Sequence, residues 1–244
     1  MQKKKSLGQH FLSTASYLNA VADAAEITKG ETVLEIGPGE GALTEVLLAR
    51  GAKVLALEKD SRLIGFLKEK FARQDFEVIE GDALAFEPTF KKYKVVGNIP
   101  YYITGALFKK FLTASKQPTL LVFLVQKEVA ERIARSKKES ILSLSIKAYG
   151  EPKYIKTVPA GAFSPPPKVD SAILAVRDIS RNHFKNTAHE EKFFEAVKKG
   201  FAQKRKFLKN NLGVPYASAL ESCGIGEKAR AEDVALAQWL ELSK

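Results

Sequence analysis

The stretch Thr32-Val33-Leu34-Glu35-Ile36-Gly37-Pro38-Gly39-Glu40-Gly41 decides the fold. Residues 32–36 are mostly β-branched or aliphatic, which predicts a buried strand. The three glycines after it allow a tight turn and let a ligand approach the backbone without a Cβ in the way. Residues 42–50 then form a predicted helix, which Gly51 ends. A glycine loop between a strand and a helix is typical of α/β sheets that bind nucleotides, and Ala42 completes the pattern Gly-x-Gly-x-x-Gly/Ala.

Strands and helices continue to alternate on both sides of this stretch. Apolar spacing predicts helices over 16–27, 60–73, 101–114, 126–136 and 139–149, and strands over 53–57, 76–80, 94–97 and 119–125. Alternation of this kind predicts a mostly parallel, Rossmann-like sheet wound on both faces. Two further strands, 154–158 and 171–177, have no helix between them and predict an antiparallel addition at one edge.

The pattern changes near residue 180. The stretch 178–191 is polar, and every element predicted after it is helical: 190–212, 215–222 and 231–242. We therefore expect two domains, an α/β domain over 1–180 and a small helical domain over 181–244.

Composition and charge limit the classes of function. Lys and Arg outnumber Asp and Glu by 39 to 28, and this excess favours an anionic partner such as nucleic acid. Cys223 is the only cysteine, so an intrachain disulfide is excluded and no metal site is expected. The apolar run 120–125 is too short to span a membrane, and no apolar segment of a secretory signal follows the basic N-terminus. We expect a cytoplasmic protein that acts as a monomer.

Acidic residues at two further strand ends indicate which cofactor the glycine loop holds. Glu58 ends the second strand, where an acid can bind both ribose hydroxyls of a nucleoside. Asp82 follows the third strand and can accept a hydrogen bond from an adenine amino group. Glu35 is a third acidic residue, just before the glycine loop. Together these acids would repel a pyrophosphate and attract a sulfonium with its ammonium group. The cluster therefore favours S-adenosylmethionine over NAD as the cofactor. We expect Gly37 and Gly39 to contact this cofactor.

The segment Asn98-Ile99-Pro100-Tyr101 follows the fourth strand, at the edge where open α/β sheets bind ligands. An adenine amino nitrogen is a poor nucleophile because its lone pair is delocalised into the ring. The Asn98 side-chain oxygen and the Ile99 carbonyl could accept hydrogen bonds from its two N–H groups. Pro100 stiffens the turn that presents these two oxygens. Tyr101 offers a ring for the base to stack on. Taken alone, the segment is more typical of a turn before a helix, with Tyr101 packed in the core.

The chain resembles the KsgA family of small-subunit ribosomal RNA adenine dimethyltransferases. The resemblance runs through most of its length, in Leu7-Gly8-Gln9-His10-Phe11-Leu12, Glu35-Ile36-Gly37-Pro38-Gly39-Glu40-Gly41, Gly81-Asp82-Ala83-Leu84, Asn98-Ile99-Pro100-Tyr101, Gln126-Lys127-Glu128-Val129, Phe163-Ser164-Pro165-Pro166-Pro167-Lys168-Val169-Asp170-Ser171-Ala172, and Phe201-x-x-Lys204-Arg205-Lys206-x-Leu208-x-Asn210-Asn211-Leu212. The proline segment and the last stretch are its most specific parts.

This resemblance implies a set of site residues and a reaction. The S-adenosylmethionine site would be lined by His10, Leu12, Gly37, Glu58, Asp82 and Asn98. Many family members have asparagine at the position of His10, and a contact through the backbone would survive that change. Tyr101 and Phe163 look like two faces around the target adenine, although Phe163 could equally be a core residue. The reaction would convert two adjacent adenosines near the 3′ end of small-subunit ribosomal RNA into dimethyladenosines, during maturation of the subunit.

Basic residues of the helical domain predict where RNA binds. Lys198, Lys199, Lys204, Arg205, Lys206 and Lys209 recur at spacings that share part of a helical surface. Phosphates are attracted to such a surface whatever their sequence. The N-terminal residues Lys3-Lys4-Lys5 could add to it.

Three other functions stay open at this point. One is a large-subunit ribosomal RNA adenine methyltransferase of the antibiotic-resistance type, which shares the glycine loop and the Asn-x-Pro-Tyr pattern. A second is a ribosome-assembly factor with secondary methylation activity. A third is a dehydrogenase, which the cluster of acids disfavours.

Overall fold

Residues 10–244 are described by the structure, which is a computed structural model. The Lys3-Lys4-Lys5 tail and the Leu7-Gly8-Gln9 part of the first motif lie outside the described residues. The described part of the chain has nine strands: β1 (Phe11–Leu12), β2 (Thr32–Ile36), β3 (Lys53–Glu58), β4 (Phe76–Glu80), β5 (Lys94–Asn98), β6 (Leu120–Gln126), β7 (Glu151–Val158), β8 (Phe163–Ser164) and β9 (Ser171–Arg177).

Seven strands form one sheet in the order β4-β3-β2-β5-β6-β9-β7. The pairs among β4, β3, β2, β5 and β6 are parallel, whereas β9 runs antiparallel to β6. The predicted antiparallel addition is thereby confirmed. Consecutive side chains point to opposite faces of a strand, and residues 121–125 of β6 are all fully buried. Both faces of the sheet are therefore covered, as a parallel sheet requires.

The strand order places a crevice beside the glycine loop. From β2 the chain moves outward through β3 and β4, then returns to add β5 on the opposite side of β2. The loops that leave the carboxyl ends of β2 and β5 therefore diverge, and ligands of open α/β sheets bind at such a switch point. Residues 37–41 form the first of these loops, and residues 99–100 form the start of the second, directly after Asn98 at the end of β5.

Ten α-helices connect or follow the strands in the described part of the chain: α1 (Ala15–Ala24), α2 (Ala42–Ala49), α3 (Ser61–Lys70), α4 (Thr104–Leu112), α5 (Lys127–Ala134), α6 (Ile141–Lys147), α7 (Thr187–Gly200), α8 (Leu208–Leu212), α9 (Ala217–Ser222) and α10 (Leu236–Leu242). No helix in residues 10–244 is both long and apolar enough to cross a membrane.

The predicted helix over 190–212 is wrong, because the chain bends between α7 and α8. Residues 201–207 have no regular structure. The Asn211 side-chain amide donates to the carbonyls of Gly200 (2.6 Å) and Gln203 (3.1 Å), which stabilises the bend. Helical spacing continues through the sequence, so its apolar pattern did not reveal the break.

Contacts divide the chain into two compact units. The first contains the described residues up to Ala130 and residues 152–179, and therefore all nine strands except Glu151, the first residue of β7. The second contains residues 131–151 and 180–244, and it is helical apart from that strand residue. The chain passes between the units at residues 179–180, and residues 131–151 belong to the second unit. The division into domains over 1–180 and 181–244 stays a prediction.

Candidate active site

The glycine loop turns sharply because its three glycines adopt left-handed backbone conformations. Gly37, Gly39 and Gly41 have φ angles of 67°, 59° and 82°. A Cβ on Gly39 would lie 2.5 Å from a ring carbon of Phe11, so only glycine fits there. The amide of Gly37 donates to the carbonyl of Leu57 (2.9 Å), which ties the loop to the end of β3.

Glu58 joins the end of β3 to the glycine loop. Its carboxylate accepts from the amides of Gly39 (3.1 Å) and Asp60 (2.8 Å), and the residue is only 4% exposed. Burial raises the pKa of this carboxyl above its usual range, against the opposing effect of these hydrogen bonds. The side chain is therefore held in one orientation at the wall of the crevice.

Asp82 lies after β4 and is exposed at the mouth of the crevice. It accepts from the amide of Leu84 (2.9 Å) and from Nζ of Lys59 (2.9 Å). The Leu84 amide, followed by the Lys59 ammonium group, holds the pKa of this carboxyl below its usual range. A charged acceptor is thus available at the point where the sequence predicts a contact with a purine.

Glu35 lies deeper than the sequence suggests. It is 1% exposed, and Oγ1 of Thr44 in α2 donates to its carboxyl group (2.7 Å). Burial raises its pKa to about 7. Together with Leu12, Glu35 lines a small cavity of about 80 Å³ that also touches Gly37 and Asn98.

Asn98 ends β5 with its side chain fixed. Its Nδ2 donates to the backbone carbonyl of His10 (2.7 Å). An amide oxygen placed there would face another oxygen, so the hydrogen bond orients the group and leaves Oδ1 as its acceptor. Ile99 is buried, and Pro100 presents the following turn.

Tyr101 begins a short 3-10 helix, Tyr101–Ile103, that precedes α4. Its hydroxyl pairs with Oγ of Ser171 (2.7 Å), at the start of β9. Burial raises the pKa of the phenol above its usual range, so the group stays neutral. The ring is half-buried and faces the crevice.

Apart from Glu35 and Gly41, these residues line one cavity of about 320 Å³. Nine of the predicted site residues line it, namely His10, Gly37, Gly39, Glu58, Asp82, Asn98, Ile99, Pro100 and Tyr101. Lys59 and Tyr102 also line it, and sequence reasoning missed both. Each directly follows a predicted site residue, so extending both motifs by one position would have found them.

Phe163 does not line this cavity. It is 5% exposed, lies in the hydrophobic core, and its backbone pairs with Leu12 between β8 and β1. This position agrees with the core alternative, and a contact between Phe163 and the target base stays a prediction.

The basic residues of the second unit do not share one helical surface. Lys198 and Lys199 lie in the last turn of α7, Lys204, Arg205 and Lys206 lie in the bend after it, and Lys209 lies in α8. All six are exposed. The bend interrupts the helix that the spacing predicted, and Lys209 pairs with Glu227 (3.1 Å).

Comparisons with known proteins agree with this arrangement. A family model for ribosomal RNA adenine dimethylase matches residues 1–244. Ribosomal RNA small subunit methyltransferase A of Dehalococcoides mccartyi is 40% identical over 256 residues, which cover 99% of this chain and 88% of that protein. The crystal structure of a dimethyladenosine transferase from Plasmodium falciparum has a TM-score of 0.83 and 28% identity, and covers 96% of each chain.

The structure of the 23S rRNA methyltransferase ErmE is also similar, with a TM-score of 0.80 and 30% identity. The match covers 96% of this chain and 98% of that one. The fold, the residues of the crevice and the full-length matches all agree. The chain therefore belongs to the ribosomal RNA adenine dimethylase family.

Proposed function

We propose that this protein transfers methyl groups from S-adenosylmethionine to the N6 amino groups of two adjacent adenosines near the 3′ end of small-subunit ribosomal RNA. The substrate is the RNA within an immature small subunit, and the protein acts as a monomer in the cytoplasm. The observation that supports this most is the convergence of Glu58, Asp82 and Asn98 on one cavity. Family membership leaves the dehydrogenase alternative without support.

The residues of the cavity fit S-adenosylmethionine. A volume of about 320 Å³ lies within the range of small-molecule sites. Gly37 and Gly39 line the cavity, and Glu58 and Asp82 offer carboxylates to ribose hydroxyls and to a purine amino group. Glu35 and Leu12 line the adjoining space. When bound, the cofactor supplies the electrophilic methyl group.

Asn98 and Ile99 would act on the target amino group. Oδ1 of Asn98 accepts one N–H of the adenine, because its Nδ2 is engaged by the carbonyl of His10. The Ile99 carbonyl accepts the second N–H, and together they direct the nitrogen lone pair toward the methyl group. Tyr101 stacks on the base, which must leave its RNA stack to enter the cavity. The proton lost from the nitrogen passes to water.

Exposed cations of the second unit would hold the RNA backbone. Lys198, Lys199, Lys204, Arg205, Lys206 and Lys209 can neutralise phosphates without reading sequence. A single-stranded segment suits this surface and the cavity better than a duplex, because its bases are free to move.

The experiment is methylation of purified immature small and large subunits in separate reactions, followed by mass spectrometry of the adenosines. We expect dimethyladenosine in the small subunit alone. Asn98→Ala should lower the rate by about 10²–10³-fold while RNA binding is kept. Dimethyladenosine in the large subunit alone would support the second candidate, which the likeness to ErmE favours. Binding to the small subunit without methylation would indicate an assembly factor.

A further inference from the structure

A short turn in the second unit presents an apolar tip to solvent. Val214 is 88% exposed, more than any other large apolar side chain in residues 10–244, and Pro215 beside it is also exposed. A single exposed apolar side chain is common on protein surfaces. This one is distinguished by the backbone that holds it and by the charge of its surroundings.

The backbone of the tip is held in one conformation. Gly213 has φ 81° and ψ −176°, a region that essentially only glycine adopts. Its amide donates to the carbonyl of Lys209 (2.9 Å), and the amide of Tyr216 donates to the carbonyl of Gly213 (3.1 Å). The ring of Pro215 fixes one further backbone angle. Val214 is therefore presented at a defined place on the surface.

The ammonium group of Lys199, in the last turn of α7, lies against the same turn. Its Nζ is 5.5 Å from the ring centroid of Tyr216, which is a cation–π distance. Six basic residues and no acidic residue occur between positions 196 and 220, and of these Lys209 pairs with Glu227 (3.1 Å). This charge favours an anionic partner. An apolar tip beside cations suits single-stranded RNA, whose bases offer π-faces and whose phosphates are charged.

We propose that Val214 and Pro215 bind the face of an unpaired RNA base while Lys199 binds a phosphate of the same strand. The proposal deepens the proposed function and rests on it. A convex tip of two small side chains cannot enclose a base, so the contact covers one face and does not read base identity. None of these three residues lines the cavity, so the contact adds affinity for RNA without acting in methyl transfer.

The test uses two probes, a fluorescent single-stranded uridine oligonucleotide and an abasic oligonucleotide of the same length. Uridine lacks the adenine amino group, so neither probe is a substrate. Val214→Ser removes apolar surface, Val214→Leu keeps it, and Lys199→Gln removes the charge. Lys70→Gln is the matched control, because Lys70 lies over the ring of Phe66 (5.6 Å) in α3 of the first unit. The Kd of each variant is measured for both probes over a series of salt concentrations.

We expect Val214→Ser to bind the uridine probe about fivefold more weakly, because apolar contact with the base is lost. It should bind the abasic probe as the wild type does. Val214→Leu and Lys70→Gln should bind both probes with wild-type affinity. Lys199→Gln should weaken binding of both probes and lower the slope of log K against log salt by about 0.7, because one phosphate contact is lost.

Equal weakening of both probes in Val214→Ser, or no weakening of either, would overturn the proposal. Weaker binding of Val214→Ser to immature small subunits with unchanged binding of the uridine probe would overturn it too, and would assign the tip to a ribosomal protein. Methylation of small subunits by the wild type is measured separately, and its absence would instead contradict the proposed function.

Discussion

Glu35, in the strand just before the glycine loop, has a carboxyl group whose pKa is unusually high. The residue is only 1% exposed, and its described hydrogen-bond partner is the Thr44 hydroxyl. A single neutral donor compensates little of the cost of burying a charge. The pKa therefore rises from 4.5 to about 7, and near neutral pH the group is divided between both forms.

This shift predicts a pH-dependent cost to folding. Between about pH 4.5 and about pH 7 the folded state holds a proton on Glu35 that the unfolded state has lost. The free energy of unfolding of the wild type should therefore fall, relative to Glu35→Gln, by up to about 3 kcal/mol as the pH rises through this window. Urea unfolding at about pH 5 and about pH 8 measures the difference.

Glu40→Gln is the matched control, because this carboxyl belongs to the same loop and is exposed. It should follow the wild type at both pH values. An equal pH dependence in wild type and Glu35→Gln would contradict the prediction and mean that Glu35 ionises in the folded state as it does in water.

At the scale of elements, the end of α7 is fixed by close packing. A Cβ on Gly200 would lie 2.3 Å from the ring of Trp239 in α10 and 2.8 Å from Leu208 in α8. Glycine is otherwise unfavourable in a helix, so its presence here reflects contact with these side chains rather than helix propensity. Gly65 in α3 has no atom within 4 Å of its Cβ position.

Alanine should therefore have opposite effects at these two glycines. Gly200→Ala should lower the free energy of unfolding by about 1–3 kcal/mol through overpacking. Gly65→Ala should raise it by up to about 1 kcal/mol through helix propensity. Denaturant unfolding followed by circular dichroism compares them. Equal effects of the two substitutions would show that the packing around Trp239 is loose.

The bend between α7 and α8 carries three consecutive cations on irregular backbone. Lys204, Arg205 and Lys206 are all exposed there, and none of them is held on a helical surface. Side chains on such a bend can adapt to phosphates at several positions. This suits recognition of an RNA backbone without reading of its sequence.

Charge reversal at Arg205 and Lys206 should weaken RNA binding and flatten its dependence on salt. Loss of two phosphate contacts should lower the slope of log K against log salt by about 1–2. The measurement is binding to small-subunit RNA over a series of salt concentrations. Reversal of the exposed pair Lys91 and Lys92, before β5, is the control and should leave the slope unchanged. An unchanged slope in the first variant would remove the bend from the RNA site.

At the scale of the whole molecule, the second unit is built from two separate segments of the chain. Leu144, Ile146 and Tyr149 in the segment 131–151 are buried. Tyr149 donates to Glu190 (2.5 Å) and its ring lies 5.5 Å from that of Phe184. Residues 180–244 therefore cover the Tyr149 end of this segment.

Truncation after residue 179 should consequently fail, although the sequence places a boundary there. The exposed apolar residues of 131–151 should cause aggregation, which light scattering and solubility would measure. A second variant, in which a short Gly/Ser linker also replaces residues 131–151, should be more soluble. A truncated chain that stays monomeric with residues 131–151 present would show that this segment does not need the C-terminal helices.

The sequence by itself determined the features that depend on local chemistry. The sheet strands lie close to where apolar runs predicted them, the glycine loop follows β2, and the acids lie at strand ends. Side chains at the carboxyl ends of parallel strands meet at one edge, so Gly37, Glu58, Asp82 and Asn98 could be placed together without coordinates. The antiparallel position of β9 followed in the same way from two strands without a helix between them.

Only the tertiary structure decided the features that depend on distant contacts. Helical spacing continues through 201–207, but the Asn211 side chain stabilises a bend there. The resemblance places Phe163 at the target adenine, yet its side chain is buried in the hydrophobic core. Residues 131–151 join the second unit because the residues that cover them come much later in the chain. Local patterns specify strands, helices and loops, whereas the energy of burial depends on residues that meet only after folding.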